Sequence, residues 1–450
     1  MNRCRVSFLL RGAKRMSPHP LVRHFGLASD KDSLSLNAYW RRIPAWSDVT
    51  VDEFINYNWQ TQKSVNNSGQ LLAFMKAVLP NVLPPTNELE SSPRTADELL
   101  DDVQVGIRRA PMAVRLTPHL LSLIEWSDPL HDPIFRQFIP LGSRAKPDHP
   151  KLTFDSLDEI GDSPVYGLIH RYPDRAAFLA ISVCPVYCRN CTRSHTVGSN
   201  TEIVSKKRFL PIYKKWEVMF NYVERTPAIA DMLVTGGDTY SLSPDQMRMI
   251  GTRMLSIPHV RRLRFASKGV SFCPGRIIDP EDEWADVIID LTRQGRKMGK
   301  SVALHTHFNH PNEVTWITRR AAQRLFEEGV TVRNQSVFLN GVNNDVDTMK
   351  SLIDQLSSMN IQPYYVFQCD MVRGIEDMRT PLHEILQMES AIRGWTSGFM
   401  TPNFVVNLPG GGGKRLACSY ESYDRVTGRS TFLSPGSKYP SRSWEYWDPL

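Results

Sequence analysis

Residues 176–183 read Ala-Ala-Phe-Leu-Ala-Ile-Ser-Val, and residues 184–191 follow at once with Cys-Pro-Val-Tyr-Cys-Arg-Asn-Cys. The first half is a short apolar run, which is typical of a buried β-strand. The second half spaces three thiols, Cys184, Cys188 and Cys191, in the pattern C-x3-C-x2-C. Three thiolates in this pattern can bind three irons of a cubane cluster and leave the fourth iron free to chelate a small molecule. The stretch therefore predicts a strand that ends in a reactive iron–sulfur cluster.

A structural zinc site is the alternative for these three cysteines. Such a site takes four protein ligands, and His195 could supply the fourth. The 450-residue chain has seven cysteines, an odd number that does not suit the paired framework of a small secreted protein. The crowding of three thiols in one short segment instead favours a reducing compartment and a cluster.

Short apolar, β-branched runs recur along the chain and alternate with longer segments of helical character. The predicted strands are Ala176–Val183, Ile229–Thr235, Arg262–Ala266, Ser301–His307, Val330–Phe338 and Gln362–Gln368. The predicted helices are Lys206–Arg225, Asp245–Ser256, Asp282–Met298, Glu313–Gly329 and Asp345–Met359. This alternation indicates a parallel sheet with crossover helices. Six such units without a dinucleotide-binding fingerprint favour an α/β fold, a partial (β/α)6 barrel of the TIM type, with its chemistry at the C-terminal ends of the strands.

Composition divides the chain into four regions. Residues 1–29 are basic and lack acidic side chains, which is typical of a mitochondrial transit peptide, and a basic tail on a cytoplasmic enzyme is the alternative. Residues 30–165 are predicted to be mainly helical, residues 166–400 to form the barrel, and residues 401–450 to hold a glycine-rich loop and a C-terminal tail. The net charge of +7 is mild, and no apolar run is long enough to cross a bilayer. We therefore expect neither a nucleic-acid partner nor a membrane partner.

Polar residues at the predicted strand ends complete a candidate pocket. The second strand ends in Thr235-Gly-Gly-Asp238, where glycines allow a ligand to approach closely and a carboxylate can bind an ammonium group; an ordinary turn is the alternative. Alternation places His305 and His307 on one face of the fourth strand, where hydrogen bonding is favoured over metal binding because no carboxylate stands at a matching spacing. Gln335 is predicted at the end of the fifth strand, where its amide could hold a carboxylate or a purine.

A glycine-rich loop near the C-terminus, Asn407-Leu-Pro-Gly-Gly-Gly-Gly-Lys414, follows an apolar strand at Phe404–Val406. The loop is not a Walker A motif, because Leu408 stands where that motif needs glycine and Arg415 stands where it needs Ser or Thr. A flexible linker is one interpretation; a lysine on such a loop can also bind pyridoxal phosphate covalently. The phosphate would then need an arginine, which Arg175 offers.

In this order the motifs resemble the lysine 2,3-aminomutase family, radical S-adenosylmethionine enzymes that also use pyridoxal phosphate. The likeness runs from about residue 110 to residue 414. It includes His170–Arg175, Cys184–Arg193, Thr235–Asp238, Thr306–Glu313, Asn334–Ser336, Gly341–Asn343, Tyr364–Tyr365, Gln368–Asp370, Arg379–Pro381, Arg393–Gly394, Thr396–Gly398 and Pro409–Lys414. The resemblance thus spans the whole predicted barrel.

The resemblance implies an isomerase that moves the α-amino group of an amino acid to C3 and gives a β-amino acid. It implies a 4Fe–4S cluster on the three cysteines, with S-adenosylmethionine on the free iron. It also implies that Lys414 carries pyridoxal phosphate, that Arg175 contacts the phosphate, and that Arg193 pairs with the substrate carboxylate. The residues implied to seat S-adenosylmethionine are Gly236, Gly237, Asp238, His307 and Gln335.

Two positions bear on the substrate. Lysine-specific members recognise the distant ammonium group with two aspartates, whereas this chain has Asp370 at one position and Asn407 at the other. Asp370 disfavours an acidic substrate, whose charge it would repel. We therefore expect conversion of L-lysine to β-lysine. The alternatives are arginine, ornithine or a neutral amino acid as substrate, or a role as a β-lysine-forming auxiliary factor in translation-factor modification.

The family pattern also bears on partners and on the C-terminal tail. We expect an electron donor of the flavodoxin or ferredoxin type and a homo-oligomer. Some bacterial members bind zinc through cysteines in the tail; only Cys418 stands after Lys414 here, so no zinc is expected. The aromatic segment Trp444–Trp447 could cover a subunit interface or fold back on the core.

Overall fold

A computed structural model describes residues 38–85, 94–207, 213–436 and 439–450. The basic segment 1–29 lies outside these residues, so its assignment as a transit peptide or a tail stays a prediction. Within the described residues, no helix is both long enough and apolar enough to span a bilayer.

The regular secondary structure ahead of the barrel is mainly helical, whereas residues 139–167 are largely irregular. Its α-helices are α1 (Val51–Ile55), α2 (Tyr57–Gln62), α3 (Ser68–Val78), α4 (Ala96–Arg109), α5 (Pro118–Leu123) and α6 (Pro133–Phe138), with 3-10 turns at Tyr39–Arg42 and Pro44–Trp46 and short antiparallel strands β1 (Val82–Leu83) and β2 (Arg94–Thr95). Reciprocal hydrogen bonds between Thr95 and Glu98 cap the start of α4. Trp40 stacks on Phe54 with ring centroids 4.1 Å apart, so aromatic packing stabilises this region.

A curved nine-stranded sheet forms the body of the described chain. Its strands, which lie in chain order, are β3 (Leu168–Tyr172), β4 (Arg175–Ile181), β5 (Asp231–Gly236), β6 (Arg262–Ala266), β7 (Ser301–Thr306), β8 (Thr331–Phe338), β9 (Gln362–Gln368), β10 (Asn403–Leu408) and β11 (Gly413–Leu416). Strands β4 to β10 are parallel neighbours, and β3 and β11 run antiparallel at the two edges. The predicted partial barrel of the TIM type is confirmed. Its sheet also includes β10 and β11, which lie beyond the boundary at residue 400 drawn from the sequence.

Crossover helices connect the barrel strands. They are α7 (Tyr213–Glu224), α8 (Pro244–Ser256), α9 (Gly269–Phe272), α10 (Gly275–Ile278), α11 (Trp284–Lys297), α12 (Trp316–Glu327), α13 (Val346–Ser358) and α14 (Leu382–Ile392). Helix α11 buries Trp284, Val287, Ile288 and Leu291, which recur with helical spacing and form its core face. Of the predicted helix Lys206–Arg225, residues Tyr213–Glu224 are helical and Lys206 and Lys207 are not, while residues 208–212 lie outside the described residues.

The two edges of the sheet meet at a seam. The backbone N–H of Lys414 on β11 donates a hydrogen bond to Tyr172 Oη on β3 at 2.8 Å. Gly413, beside this bond, has a φ of +79°, and a Cβ there would lie 2.6 Å from Tyr172 Oη. Only glycine fits such a position. A side-chain contact thus joins the first and last strands of the barrel.

The chain after β11 folds back on the barrel. It forms a small antiparallel sheet of β12 (Ser422–Asp424), β13 (Arg429–Leu433) and β14 (Ser443–Trp447). Tyr446 is buried, and its Oη donates to the Cys369 carbonyl oxygen at 2.9 Å, just beyond β9. Trp444 packs so close to Gly412 that a Cβ there would lie 2.7 Å from the indole. The tail therefore supports the loop that carries Lys414, which is the second of the two roles predicted for it.

The start of the cysteine loop lies close against Gly236 and Gly237 at the end of β5. The Gly237 N–H donates to the Ile181 carbonyl oxygen at 2.5 Å, and the Asp238 N–H donates to the Val183 carbonyl oxygen at 3.0 Å. A Cβ on Gly237 would lie 2.4 Å from the Val183 oxygen. The glycines thus allow two neighbouring strand ends to approach closely.

Gly237→Ala is expected to destabilise the protein by about 1–3 kcal/mol, because the backbone must move to admit the methyl group. Gly398→Ala is the matched control, since a Cβ there meets no atom within 4 Å. The measurement is the urea midpoint of unfolding followed by circular dichroism. Equal midpoints for the two variants would contradict the close approach.

Candidate active site

Most of the predicted site residues lie at or near the C-terminal ends of the barrel strands, whereas Arg175 is the first residue of β4. The cysteine loop leaves β4, Gly236 ends β5, and Asp370 follows β9 by two residues. Lys414 lies on β11 at the seam. Gln335 lies inside β8 and not at its end as predicted, because the strand continues to Phe338 with a shift of register at this point. This end of a barrel is where such folds carry their chemistry.

The three cysteine thiols lie close together, and each lies near a cation. They are free and partly exposed. Burial raises the pKa of all three thiols, to about 12 for Cys188, and the other two thiols add to the shift at Cys184. The cations that oppose these shifts are Arg115 at Cys184, Lys268 at Cys188 and Arg193 at Cys191. Neighbouring thiols with a cation beside each one suit a cluster that they bind as thiolates.

A mononuclear zinc site is not preformed at the cysteine loop. Within the described residues, no three His, Cys, Asp or Glu side chains converge tightly enough to hold a single metal ion. His195, the proposed fourth zinc ligand, has its Nε2 3.8 Å from the Asp155 carboxylate. The cysteines of a cubane each bind a separate iron and need not converge on one point. The fit to a cluster therefore rests on the spacing of the three cysteines and on the cations beside their thiols.

Asp238 has an architectural role beside the cysteine loop. Its carboxylate accepts hydrogen bonds from the backbone N–H groups of Tyr240 and Lys268, both at 2.8 Å. Burial raises its pKa, and these bonds oppose the shift. Asp238 thereby fixes the turn at Thr239–Ser241. Its contact with an ammonium group stays a prediction.

Arg193 is held by a carboxylate that the sequence did not single out. Its Nε and Nη2 donate to the two oxygens of Glu159, each at 2.8 Å, and its Nη1 donates to Thr235 Oγ1 at 3.2 Å. Glu159 is buried and takes one edge of the guanidinium. A guanidinium has five N–H groups, so two remain without a partner within the described residues. The predicted pairing of Arg193 with a substrate carboxylate stays a prediction, and it would have to use those groups.

The amine of Lys414 is surrounded by protein. Burial lowers its pKa, and the nearby cations Arg171 and Arg264 lower it further. Tyr172 and Asp370 oppose the shift. The residue as a whole nevertheless keeps an exposed surface. A lowered pKa favours the free amine that a covalent bond to a carbonyl requires, which fits pyridoxal phosphate.

Asp370 and Asn407, the two positions predicted to recognise the substrate side chain, are in contact. Asn407 Nδ2 donates to Asp370 Oδ1 at 3.0 Å. Burial raises the pKa of Asp370 to about 6, and this hydrogen bond and the Lys414 amine limit the shift. Glu159 adds to it. The pair therefore lies close to both Lys414 and Glu159.

Glu159 connects the two halves of the site. Its charge raises the pKa of Cys191 in the cysteine loop and also that of Asp370 beside Lys414. It lies in an irregular segment between α6 and β3 and belongs to no motif. Its role depends on partners far away in the chain, so local sequence carries no signal for it.

His305 and Gln335 contact each other on neighbouring strands. Gln335 Nε2 lies 2.7 Å from His305 Nδ1. Burial lowers the pKa of His305 to about 3, so the imidazole is neutral. Its Nε2 is buried and has no hydrogen-bond partner within the described residues. A buried orphaned nitrogen of this kind is what a bound ligand can satisfy.

His307 and Arg175 lie in other surroundings. The His307 carbonyl oxygen accepts from Lys268 Nζ at 2.7 Å, and Lys268 also forms an ion pair with buried Glu313 at 2.6 Å. Burial lowers the pKa of His307 to about 3. The Arg175 guanidinium lies 3.8 Å from the centre of the Tyr172 ring at the seam. Their contacts with cofactors stay predictions.

Comparison with known proteins identifies the family. No family model matches the chain. The chain is 35% identical to the L-lysine 2,3-aminomutase of Clostridium subterminale over 374 residues, 83% of this chain and 80% of the relative. It is 33% identical to the L-lysine 2,3-aminomutase of Bacillus subtilis over 424 residues, 92% and 81% of the two chains, and 30% identical to the glutamate 2,3-aminomutase of Clostridioides difficile over 379 residues, 84% and 80%. The chain therefore belongs to the lysine 2,3-aminomutase family of radical S-adenosylmethionine enzymes, whose members are isomerases.

Proposed function

We propose that this chain is an amino-acid 2,3-aminomutase that depends on a 4Fe–4S cluster, S-adenosylmethionine and pyridoxal phosphate, with L-lysine as substrate and β-lysine as product. One observation carries the proposal. Glu159 accepts two hydrogen bonds of 2.8 Å from Arg193, two residues after Cys191, and its charge also acts on Asp370. Cys191 belongs to the cluster loop, and Asp370 neighbours the Lys414 amine. The two groups that a radical aminomutase must combine are thus linked by one buried carboxylate.

Each cofactor has residues suited to hold it. Cys184, Cys188 and Cys191 would hold the cluster, Lys414 would bind pyridoxal phosphate, and Arg175 would contact its phosphate. When bound, these groups supply a radical that removes hydrogen from C3 and a ring that delocalises an unpaired electron while nitrogen migrates. The chain's own part is to position the substrate and to enclose the reacting groups, because an exposed radical would be lost to side reactions.

Arg193 would bind the substrate carboxylate through the N–H groups that Glu159 leaves available. Glu159 accepts from Nε and Nη2 and so fixes the plane of the guanidinium. A planar donor fixed in this way loses little freedom when an anion binds. Glu159 is therefore a positioning residue for the carboxylate end of the substrate.

Asp370 and Asn407 would bind the cationic end of the substrate. The ionised carboxylate of Asp370 attracts an ammonium group, and Asn407 orients it through the 3.0 Å hydrogen bond. The same charge repels an acidic side chain. This arrangement favours lysine over glutamate, although relatives of both names match the chain.

The product of the reaction tests the proposed function. Anaerobically reconstituted enzyme, incubated with dithionite, S-adenosylmethionine and lysine, is expected to form many molecules of β-lysine for each molecule of S-adenosylmethionine consumed, because the isomerisation has no net redox change. A small amount of 5′-deoxyadenosine is expected beside it, and both are measured by mass spectrometry. Arginine, ornithine and glutamate are the competing substrates, and Cys188→Ser is the control that should form neither product. Deoxyadenosine without any β-amino acid would overturn the aminomutase assignment, and β-glutamate as the main product would overturn the assignment of lysine.

We expect the activity to fall at low pH because Asp370 becomes neutral. Its pKa of about 6 lies above the ordinary value, so the carboxylate is charged above that pH and neutral below it. We expect kcat/KM for lysine to fall as pH drops through about 6, because kcat/KM reports ionisations of the free enzyme. Asp370→Asn should lower kcat/KM roughly 10- to 100-fold at pH 8, because one charged hydrogen bond to the substrate is lost. The variant should also no longer lose activity near pH 6. If kcat/KM of the variant still falls near pH 6 as in the wild type, the assignment to Asp370 is contradicted.

Asn407→Asp tests the same end of the pocket in the opposite direction. A second carboxylate should strengthen ammonium binding and raise kcat/KM for lysine by roughly tenfold, the scale of one charge-assisted bond. Repulsion between the two carboxylates should also raise the pKa at this position, so that the fall in kcat/KM begins at a higher pH. The comparison uses steady-state kinetics of the two variants side by side. No gain with lysine would show that Asn407 does not face the substrate cation.

A further inference from the structure

A basic concavity of about 530 Å³ lies beside the cysteine loop and apart from the residues of the proposed site. The end of α4, the segment around Lys146 and the segment after β9 form its walls. Tyr187 and Arg189, both within the cysteine loop, complete it. None of the residues placed above at the substrate or at pyridoxal phosphate lines it, so it has no part in the reaction described so far.

The concavity comes within one layer of side chains of the cluster ligands. Met112 and Tyr187 line it and are buried, and they form one apolar cluster against which Cys184 and Cys191 pack. The Tyr187 N–H donates to the Arg115 carbonyl oxygen at 3.1 Å, which anchors this part of the loop. An electron that enters here has a short path to the cluster position.

The exposed charges on the rim are mostly positive. Arg109, Lys146 and Arg373 are exposed, and Asp148, 3.6 Å from Arg373, is the partly exposed acid among them. The other charges that line the concavity are buried and neutralised in ion pairs, which are Arg189 with Asp377 at 2.9 Å and Glu376 with Arg379 at 2.8 Å. Ile203 adds an exposed apolar surface. The rim therefore presents a positive field around an apolar floor.

We propose that this concavity is the docking site of a small acidic one-electron carrier of the flavodoxin or ferredoxin type. The inference rests on the proposed function, because a cluster that starts radical chemistry must first be reduced. The carrier gives up one electron and the cluster on the three cysteines accepts it, with no bond or proton exchanged at the interface. The positive rim attracts and orients the acidic carrier, and the apolar floor brings its redox group next to the loop.

Charge reversal on the rim tests the docking site. The variant R109E/K146E/R373E is compared with K214E/K297E/R320E, which makes the same charge change at exposed positions on α7, α11 and α12. The readouts are the affinity of the holoenzyme for oxidised flavodoxin and the rate at which reduced flavodoxin reduces the cluster, followed by its absorbance. At low ionic strength the rim variant should lose roughly 10- to 100-fold in both, and the control should match the wild type. Equal losses in the two variants, or no loss in the rim variant, would overturn the proposal.

Crosslinking of the unmodified holoenzyme gives a second measurement that does not depend on how the variants fold. A carbodiimide joins an amine to a carboxylate in direct contact, so Lys146 is expected to link to flavodoxin, with the site mapped by mass spectrometry. Links only at lysines on the outer helices would overturn the proposal. Dithionite reduces the cluster without a docked protein. It therefore allows the docking site and the proposed function to be tested separately. If the rim variant binds flavodoxin normally and forms β-lysine with dithionite, the docking site alone is refuted. If flavodoxin binding depends on the rim but no β-lysine is formed, the proposed function alone is refuted.

Discussion

The hydrogen bond from the Lys414 backbone to Tyr172 Oη is the contact on which the site depends. It joins residues that are 242 positions apart in the sequence and closes the gap between the first and last strands of the sheet. Without it, β11 would be an edge strand free to move away from β3, and the Lys414 amine would move with it. Gly413 makes the contact possible because a Cβ would collide with the tyrosine, and Trp444 of the tail supports the loop from the other side.

Inside the barrel, several charged side chains have a hydrogen-bonded partner. Glu159 holds Arg193, Glu313 holds Lys268, and Asn407 holds Asp370. Buried charges are tolerated only when they are paired and hydrogen-bonded, and such pairs also fix the side chains in one geometry. Burial raises the pKa of Asp370 to about 6, and the hydrogen bond from Asn407 opposes that shift. The pocket end assigned to the substrate cation is therefore the part of the site most sensitive to pH.

Local patterns predicted the fold well because barrel strands are short apolar runs with helices between them. The six predicted strands lie within two residues of the observed bounds. The cysteine spacing and the glycine loop likewise pointed to Cys184–Cys191 and Lys414. The patterns missed what depends on contacts between distant residues: the addition of β10 and β11 to the sheet, the place of Gln335 within β8, the grip of Glu159 on Arg193, and the seam at Tyr172. No spacing rule encodes such contacts, since each partner alone is an ordinary residue.

The proposed function requires that the cysteine loop and Lys414 serve a single reaction chamber. Lysine deuterated at C3 is the test, because deuterium can pass from C3 of lysine held at Lys414 to the deoxyadenosyl group formed at the cluster only if both lie in one chamber. We expect deuterium from the substrate to appear in 5′-deoxyadenosine and also in the β-lysine formed. Deoxyadenosine that contains only solvent hydrogen, while β-lysine keeps all of its deuterium, would contradict the single chamber.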